Sequence, residues 1–294
     1  MKTIWKVIAL MAVIGMCLAI SGVALGADKG GFYIDKSGLH MSTGELTHIS
    51  QPDTGKITEI DIDVLSIDIN IVTADKYGYE IFCRDSSAFK YSVENGRLKI
   101  EQHAAIKLMT FSLFSRSEAV NVFLPAAAEL DAVNIKNMSG NLSVGAMGSK
   151  SFTANVTSGN IKAGGMTSGT IKMTSSSGNI EITDSKAESF VFEMTSGNLS
   201  ASGLKSDGLK AKLMSGNMKL GGTFKGDTVL NTTSGNVTID IDGAERDYNR
   251  NVRTVSGSVR IDGKKGGAGN VNNNAASNLD IKLTSGDAAI NFIN

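Results

Sequence analysis

Residues 139–237 read SGNLSVGAMGSKSFTANVT, SGNIKAGGMTSGTIKMTSS, SGNIEITDSKAESFVFEMT, SGNLSASGLKSDGLKAKLM, SGNMKLGGTFKGDTVLNTT and SGNV, one phrase that returns every 19 residues. Its fixed corner is Ser139-Gly140-Asn141, then Ser158-Gly159-Asn160, Ser177-Gly178-Asn179, Ser196-Gly197-Asn198, Ser215-Gly216-Asn217 and Ser234-Gly235-Asn236. An apolar residue follows each Asn (Leu142, Ile161, Ile180, Leu199, Met218, Val237), then a polar one, then an apolar or small one. A period held over six copies marks a repeat architecture.

The second half of each repeat alternates as well. Phe152, Ile171, Phe190, Leu209 and Thr228 share one position, and Ala154, Met173, Phe192, Ala211 and Leu230 share another two residues on. Between them stand Thr153, Lys172, Val191, Lys210 and Val229. A period of two is the strand period, because successive side chains point to opposite faces. Each repeat therefore predicts two short strands joined at the Ser-Gly-Asn corner, where Gly takes backbone angles that other residues resist. So short a pair cannot bury its apolar face alone, but stacked on like neighbours it can. Helical repeats fail, because no i, i+3, i+4, i+7 pattern competes with the alternation. The fold expected is an all-β solenoid or β-roll of 19-residue coils, two short strands in each. Asn amides stacked at one corner are expected to bond amide to amide, as in cross-β ladders.

Composition agrees with thin coils rather than a thick core: 294 residues hold 33 Gly, only 2 Pro and 6% aromatics. Lys plus Arg equals Asp plus Glu at 29 each, so no net field draws nucleic acid. Cys17 and Cys83 make neither a disulfide framework nor a zinc spacing, and His40, His48 and His103 are scattered. No cofactor or metal is expected.

Lys2 and Lys6 precede an uncharged run from Val7 to Ala27. Its length suits a membrane-spanning anchor better than the core of a signal peptide, although Ala24-Leu25-Gly26 offers a cleavage site before Ala27. Either way the lysines hold the start in the cytoplasm and place the rest outside. Residues 1–27 are thus read as anchor or signal peptide and 28–56 as a juxtamembrane spacer, with one strand around Phe32 to Ile34. Residues 57–130 are read as an N-terminal β region capping the solenoid, and 131–294 as the solenoid itself. Within 57–130, strands are expected at 57–71, 79–84, 88–93 and 97–102, the last two joined through Glu94-Asn95-Gly96. The Phe-rich segment 104–115 is read by default as a cover for the first coil, with a buried strand or an exposed contact loop as the alternatives. After Ile241 the period loosens, and the Gly- and Asn-rich insertion 262–278 is read as a projecting loop. Ala288–Ile293 is read as the terminal coil.

Val120-Asn121-Val122-Phe123-Leu124-Pro125, the strand before Ser139-Gly140-Asn141, and the run of Ser-Gly-Asn or Ser-Gly-Asp turns through Ser285-Gly286-Asp287 carry a resemblance. Over about 57–294 the chain resembles the bacterial "putative adhesin" family of β-strand repeat proteins, a domain-of-unknown-function class. The resemblance implies an extracytoplasmic β-solenoid, an interaction role and an association with envelope stress responses. It brings no catalytic residues.

The function expected is a membrane-tethered, extracytoplasmic, non-catalytic binding, adhesion or scaffold module of the bacterial envelope, single-pass with its C-terminal part outside. A secreted form after cleavage is the alternative placement, and an envelope stress sensor or regulator is the alternative function. The partners expected are the membrane, through residues 7–27, and an envelope protein or surface ligand. A polysaccharide-acting β-helix enzyme is disfavoured. Glu181, Asp184, Glu188, Glu193, Asp207 and Asp227 are read as scattered, with no column stacking two acids on adjacent coils, and no nucleophile elbow, phosphate loop or His-Glu-x-x-His occurs. Ser residues of the corners are read as turn residues, since no base adjoins them.

Overall fold

The computed structural model describes residues 31–35, 38–42, 46–103, 109–112 and 118–293. In the repeats each coil has a long strand, such as Thr167–Ser177, and a short one, such as Ile180–Thr183. Neighbouring coils pair in parallel at a spacing of 19 residues: Ile171 opposes Phe190, which opposes Leu209, and Met173 opposes Phe192, which opposes Ala211. Two coils carry the strand unbroken round the bend that follows the short segment, giving Leu199–Ser215 and Met218–Ser234.

The alternation read from the sequence is the in/out pattern of the coil. Phe152, Ile171 and Phe190 are fully buried and Leu209 is 1% exposed, while Lys172 and Lys210 face outward. Full burial of such a side chain contributes about 1.5–3 kcal/mol, so the core is a line of such contributions rather than one central cluster. Phe190 and Phe192 stack with ring centroids 5.9 Å apart. Thr228 takes the same inward column, and its buried hydroxyl has no hydrogen-bond partner.

The ends depart from the sequence expectation. Ala288–Ile293 is not the terminal coil. It pairs in parallel with Val237–Asp242 on one side and with Val259–Ile261 on the other, while Ser277–Ser285 lies between Met218–Ser234 and Tyr248–Ser256. The last coil of the chain is therefore the penultimate coil of the stack, and the coil that precedes it in sequence lies outside it. The other end repeats the device. Glu59–Ser66 and Asp68–Ala74 form a coil in register with the repeats, Ser66 opposing Ser139 and Ile69 opposing Leu142. Arg97–Gln102 and Ala119–Pro125, which come later in sequence, cover that coil from outside. The stack of coils thus begins at about residue 59, inside the segment expected only to cap it.

Threading a chain end inward leaves local antiparallel strands to finish each edge. The insertion 262–278, expected as a projecting loop, supplies Lys264–Lys265 against Val259–Ile261 and Gly269–Val271 against Tyr248–Ser256, both antiparallel. At the other end Phe89–Glu94 folds back on Arg97–Gln102 through Asn95 and Gly96, both at positive φ. Gly78–Cys83 pairs antiparallel with Ala119–Pro125, and Thr47–Gln51 with Gly78–Cys83. Antiparallel neighbours can be joined by a two-residue turn, whereas a further parallel strand would need another whole crossover. Short, twisted edge strands also make poor templates for pairing with other chains.

The segment expected as a spacer with one strand around Phe32 to Ile34 holds that strand, Gly31–Asp35, and two more, Gly38–Ser42 and Thr47–Gln51. Gly31–Asp35 pairs with Gly38–Ser42 and with Met109–Ser112 in a separate three-stranded sheet, which places part of the Phe-rich segment in that sheet. The stretch 7–27 lies outside the described residues. Among the described residues no helix is long and apolar enough to cross a membrane.

Candidate functional site

The Ser-Gly-Asn corners stack into a continuous ladder. The backbone N–H of each Asn donates to the side-chain Oδ1 of the Asn one coil before it: Asn160 to Asn141 at 3.1 Å, Asn179 to Asn160 at 2.9 Å, Asn198 to Asn179 at 2.9 Å, Asn217 to Asn198 at 3.1 Å and Asn236 to Asn217 at 2.9 Å. The expected amide-to-amide contact is the weaker partner, at 3.3 Å from Asn198 to Asn179 and 3.5 Å from Asn217 to Asn198. A backbone donor is held in line by the strand, and a side-chain amide is not. The ladder runs past the six copies: Asn141 donates to Asp68 at 2.8 Å, Asp287 to Asn236 at 2.9 Å and Ser258 to Asp287 at 2.7 Å. Hydrogen bonds from the backbone and then the side chain of Ser258 hold the Asp287 carboxyl below the usual range. Asp serves near the ends because only an acceptor is needed there, whereas Asp in every coil would stack like charges at about 4.8 Å.

The Ser members accept through their backbone carbonyls, as Ser177 does from Gly159 at 3.0 Å and Ser196 from Gly178 at 3.4 Å. Ser139, Ser158, Ser177, Ser196, Ser215 and Ser234 are all exposed, with no base drawn to them. The ladder is a structural spine. Replacing Asn179 and Asn198 together by Ala removes two acceptors, at about 0.5–1.5 kcal/mol each. Thermal melting of the double variant should fall by a few degrees in a still cooperative transition, and an unchanged midpoint would show the ladder to be idle.

The concave feature lies elsewhere on the coil and contains no ladder residue. A groove of about 1110 Å³ runs along the stack, across the N-terminal ends of the long strands. Its floor is a column of small inward residues, Ser149, Ser168, Ala187 and Ser206, with Leu130 at one end. Ser149 and Ser168 share a hydroxyl contact of 3.0 Å, and Ser168 donates to the Thr170 carbonyl at 2.9 Å. The residue on each side of a floor position faces out and lines a wall. Lys186 and Lys205 oppose each other on one wall; Glu188 and Asp207, one coil apart, stand on the other. All four are exposed. Towards the N-terminal end Lys150 pairs with Asp131 at 2.6 Å. That hydrogen bond holds the Asp131 carboxyl below its ordinary range and the Lys150 ammonium above its own.

Glu188 and Asp207 correct the sequence reading, which found no two acids stacked on adjacent coils; they are separated by one period of 19 residues. The same arithmetic on Lys186 and Lys205, and on the small column 149, 168, 187 and 206, would have located the groove. Elsewhere Cys83 is buried, and desolvation first, then the Glu118 charge, pushes its thiol up to about 11, which leaves it unreactive. His48 stacks on Phe82 at 4.4 Å. Among the described residues no cluster of His, Cys, Asp or Glu could hold a metal ion.

No curated protein matches the chain. Solved structures similar to it include a putative adhesin from Bacteroides fragilis, at 12% identity over 86% of this chain and 99% of that one with a TM-score of 0.49. A putative lipid binding protein from Parabacteroides distasonis is similar at 16% identity over 86% and 98%, with a TM-score of 0.40. A putative cell adhesion protein from Clostridium sporogenes follows at 14% identity over 84% and 99%, with a TM-score of 0.27. These likenesses are too distant to carry a function. The family model described as Toastrack DUF4097 matches residues 57–291, nearly the whole stack of coils. This chain belongs to the Toastrack DUF4097 family.

Proposed function

We propose that the chain is a membrane-tethered, extracytoplasmic binding, adhesion or scaffold module without catalytic activity. The observation that carries this reading is the groove: an open trough across successive coils, lined by exposed charges and, among the described residues, free of a nucleophile–base pair or a buried acid. A rigid stack with a long open trough suits holding an extended partner. The tether rests on the sequence alone, on the uncharged run 7–27 behind Lys2 and Lys6 with Asp28 and Lys29 as the first charges after it.

The full-length protein should sediment with membranes, resist salt and carbonate, and yield to detergent. Protease added outside the cytoplasmic membrane should degrade the coils. A mature chain beginning near Ala27 would replace the anchor by a cleaved signal and leave the extracytoplasmic placement standing. Coils protected in intact cells, yet cut after permeabilisation, would overturn both.

A further inference from the structure

We infer that the groove binds an extended polypeptide segment carrying both acidic and basic side chains, lying along the stack and across the strands. This rests on the reading of the chain as a binding module and adds the class of its ligand.

At two adjacent levels, 186/188 and 205/207, the two walls carry opposite charge, and towards the N-terminal end Glu129 and Lys150 reverse that pattern. Lys186 and Lys205 lie side by side, and no carboxylate of the described residues ion-pairs with either; Glu188 and Asp207 face them, likewise without a cation. Some charges of the outer surface are matched across coils, as Lys172 is with Glu193 at 3.1 Å and Lys162 with Glu181 at 3.5 Å, while among the described residues Lys210, Lys212 and Lys219 have no such partner. Parallel rows of like charge one coil apart repel within each row, and a ligand offering the complementary sign to each relieves both. An extended polypeptide does this naturally, because its successive side chains point to opposite sides. Acidic side chains then meet the lysine wall while alternate basic ones meet the carboxylate wall.

Other polymers fit less well. A polyanion would find Glu188 and Asp207 against it along the whole level where the lysines attract it. A neutral glycan would find no aromatic ring among the lining residues to stack on. The floor suits a main chain, since Ser168, Ala187 and Ser206 are small and turned inward, which lets a second backbone approach closely. The groove spans about seven levels from Lys56 to Lys225. At about 4.8 Å per level that is roughly 29 Å, the length of some eight extended residues.

The test uses the full-length chain in detergent at low salt and a labelled alternating Glu-Lys peptide of about ten residues. Fluorescence anisotropy should report binding that weakens as salt rises. Reversing one wall, with Lys186→Glu and Lys205→Glu together, should lower the affinity at least tenfold, by roughly the sum of its exposed pairs. Adding Glu188→Lys and Asp207→Lys should restore it, because the peptide then shifts by one residue and meets both walls again. Melting curves verify that every variant is folded, which the exposure of all four side chains leads one to expect. An oligo-Glu peptide binding as tightly as the alternating one, or no recovery in the folded four-residue variant, would overturn the proposal. If purified envelope glycan binds the parent and not the lysine-wall variant, while no peptide binds, the ligand class fails and the binding-module reading stands. If neither binds, that reading fails too.

Discussion

Replacing Phe192 by Asp should abolish cooperative folding of the central coils, a loss of more than about 4 kcal/mol. Phe192 is 1% exposed, stacks beside Phe190 and opposes Met173 on one coil and Ala211 on the next. A carboxylate there would be desolvated with no partner, and the cavity left by the ring would touch the coils above and below. Because each coil is stabilised chiefly by its two neighbours, the damage should spread along the stack. Lys172→Ala is the control on the opposite face. Its ammonium reaches Glu193 at 3.1 Å with the two side chains 40% and 49% exposed, and a surface pair of that kind contributes little. It should change stability by less than about 0.5 kcal/mol. Circular dichroism melts of the two variants compare them directly, and equal destabilisation would mean that the inward and outward assignments are mistaken.

Gly178→Ala should be nearly as damaging, for a reason that has nothing to do with hydrophobicity. Gly178 has φ +137°, and a Cβ added to it would press into the carbonyl oxygen of Gly159 on the adjacent coil. The obstacle is backbone, itself held in the corner by a 3.0 Å bond from Gly159 N–H to the Ser177 carbonyl, so it cannot rotate away. Gly266→Ala separates this clash from simple backbone strain, since Gly266 has φ +121° and nothing within 4 Å of its added Cβ. Strain alone should cost Gly266→Ala about 1–2 kcal/mol, whereas Gly178→Ala should lose more than about 4 kcal/mol. Similar losses in urea or thermal unfolding would show that the corners relax and that close stacking of the glycines is not what fixes the coil spacing.

The 19-residue period, the inward columns and the corner were legible in the sequence because they are local and repeated. Alternation at 152, 154, 171 and 173 states which side chains face in, and the recurrent Gly states where the chain turns at positive φ. Asn at the corner could be recognised as a ladder residue. Its main partner could not, because whether an amide oxygen meets a backbone N–H or another amide depends on how far one coil is offset from the next. The charges of the groove were present in the sequence at the same period, yet Lys186 and Glu188 flank a groove only because the small Ala187 between them turns inward in the stacked coils. The coil order was beyond the sequence altogether. Every coil presents nearly the same inward and outward pattern, so Met218–Ser234 could accept either Tyr248–Ser256 or Ser277–Ser285 as its neighbour in the same register. Placing the later segment there, with partners 51 residues apart in the ladder at one end and 73 at the other, depends on closing both edges of the stack at once. That is a property of the assembled structure, and no local pattern encodes it.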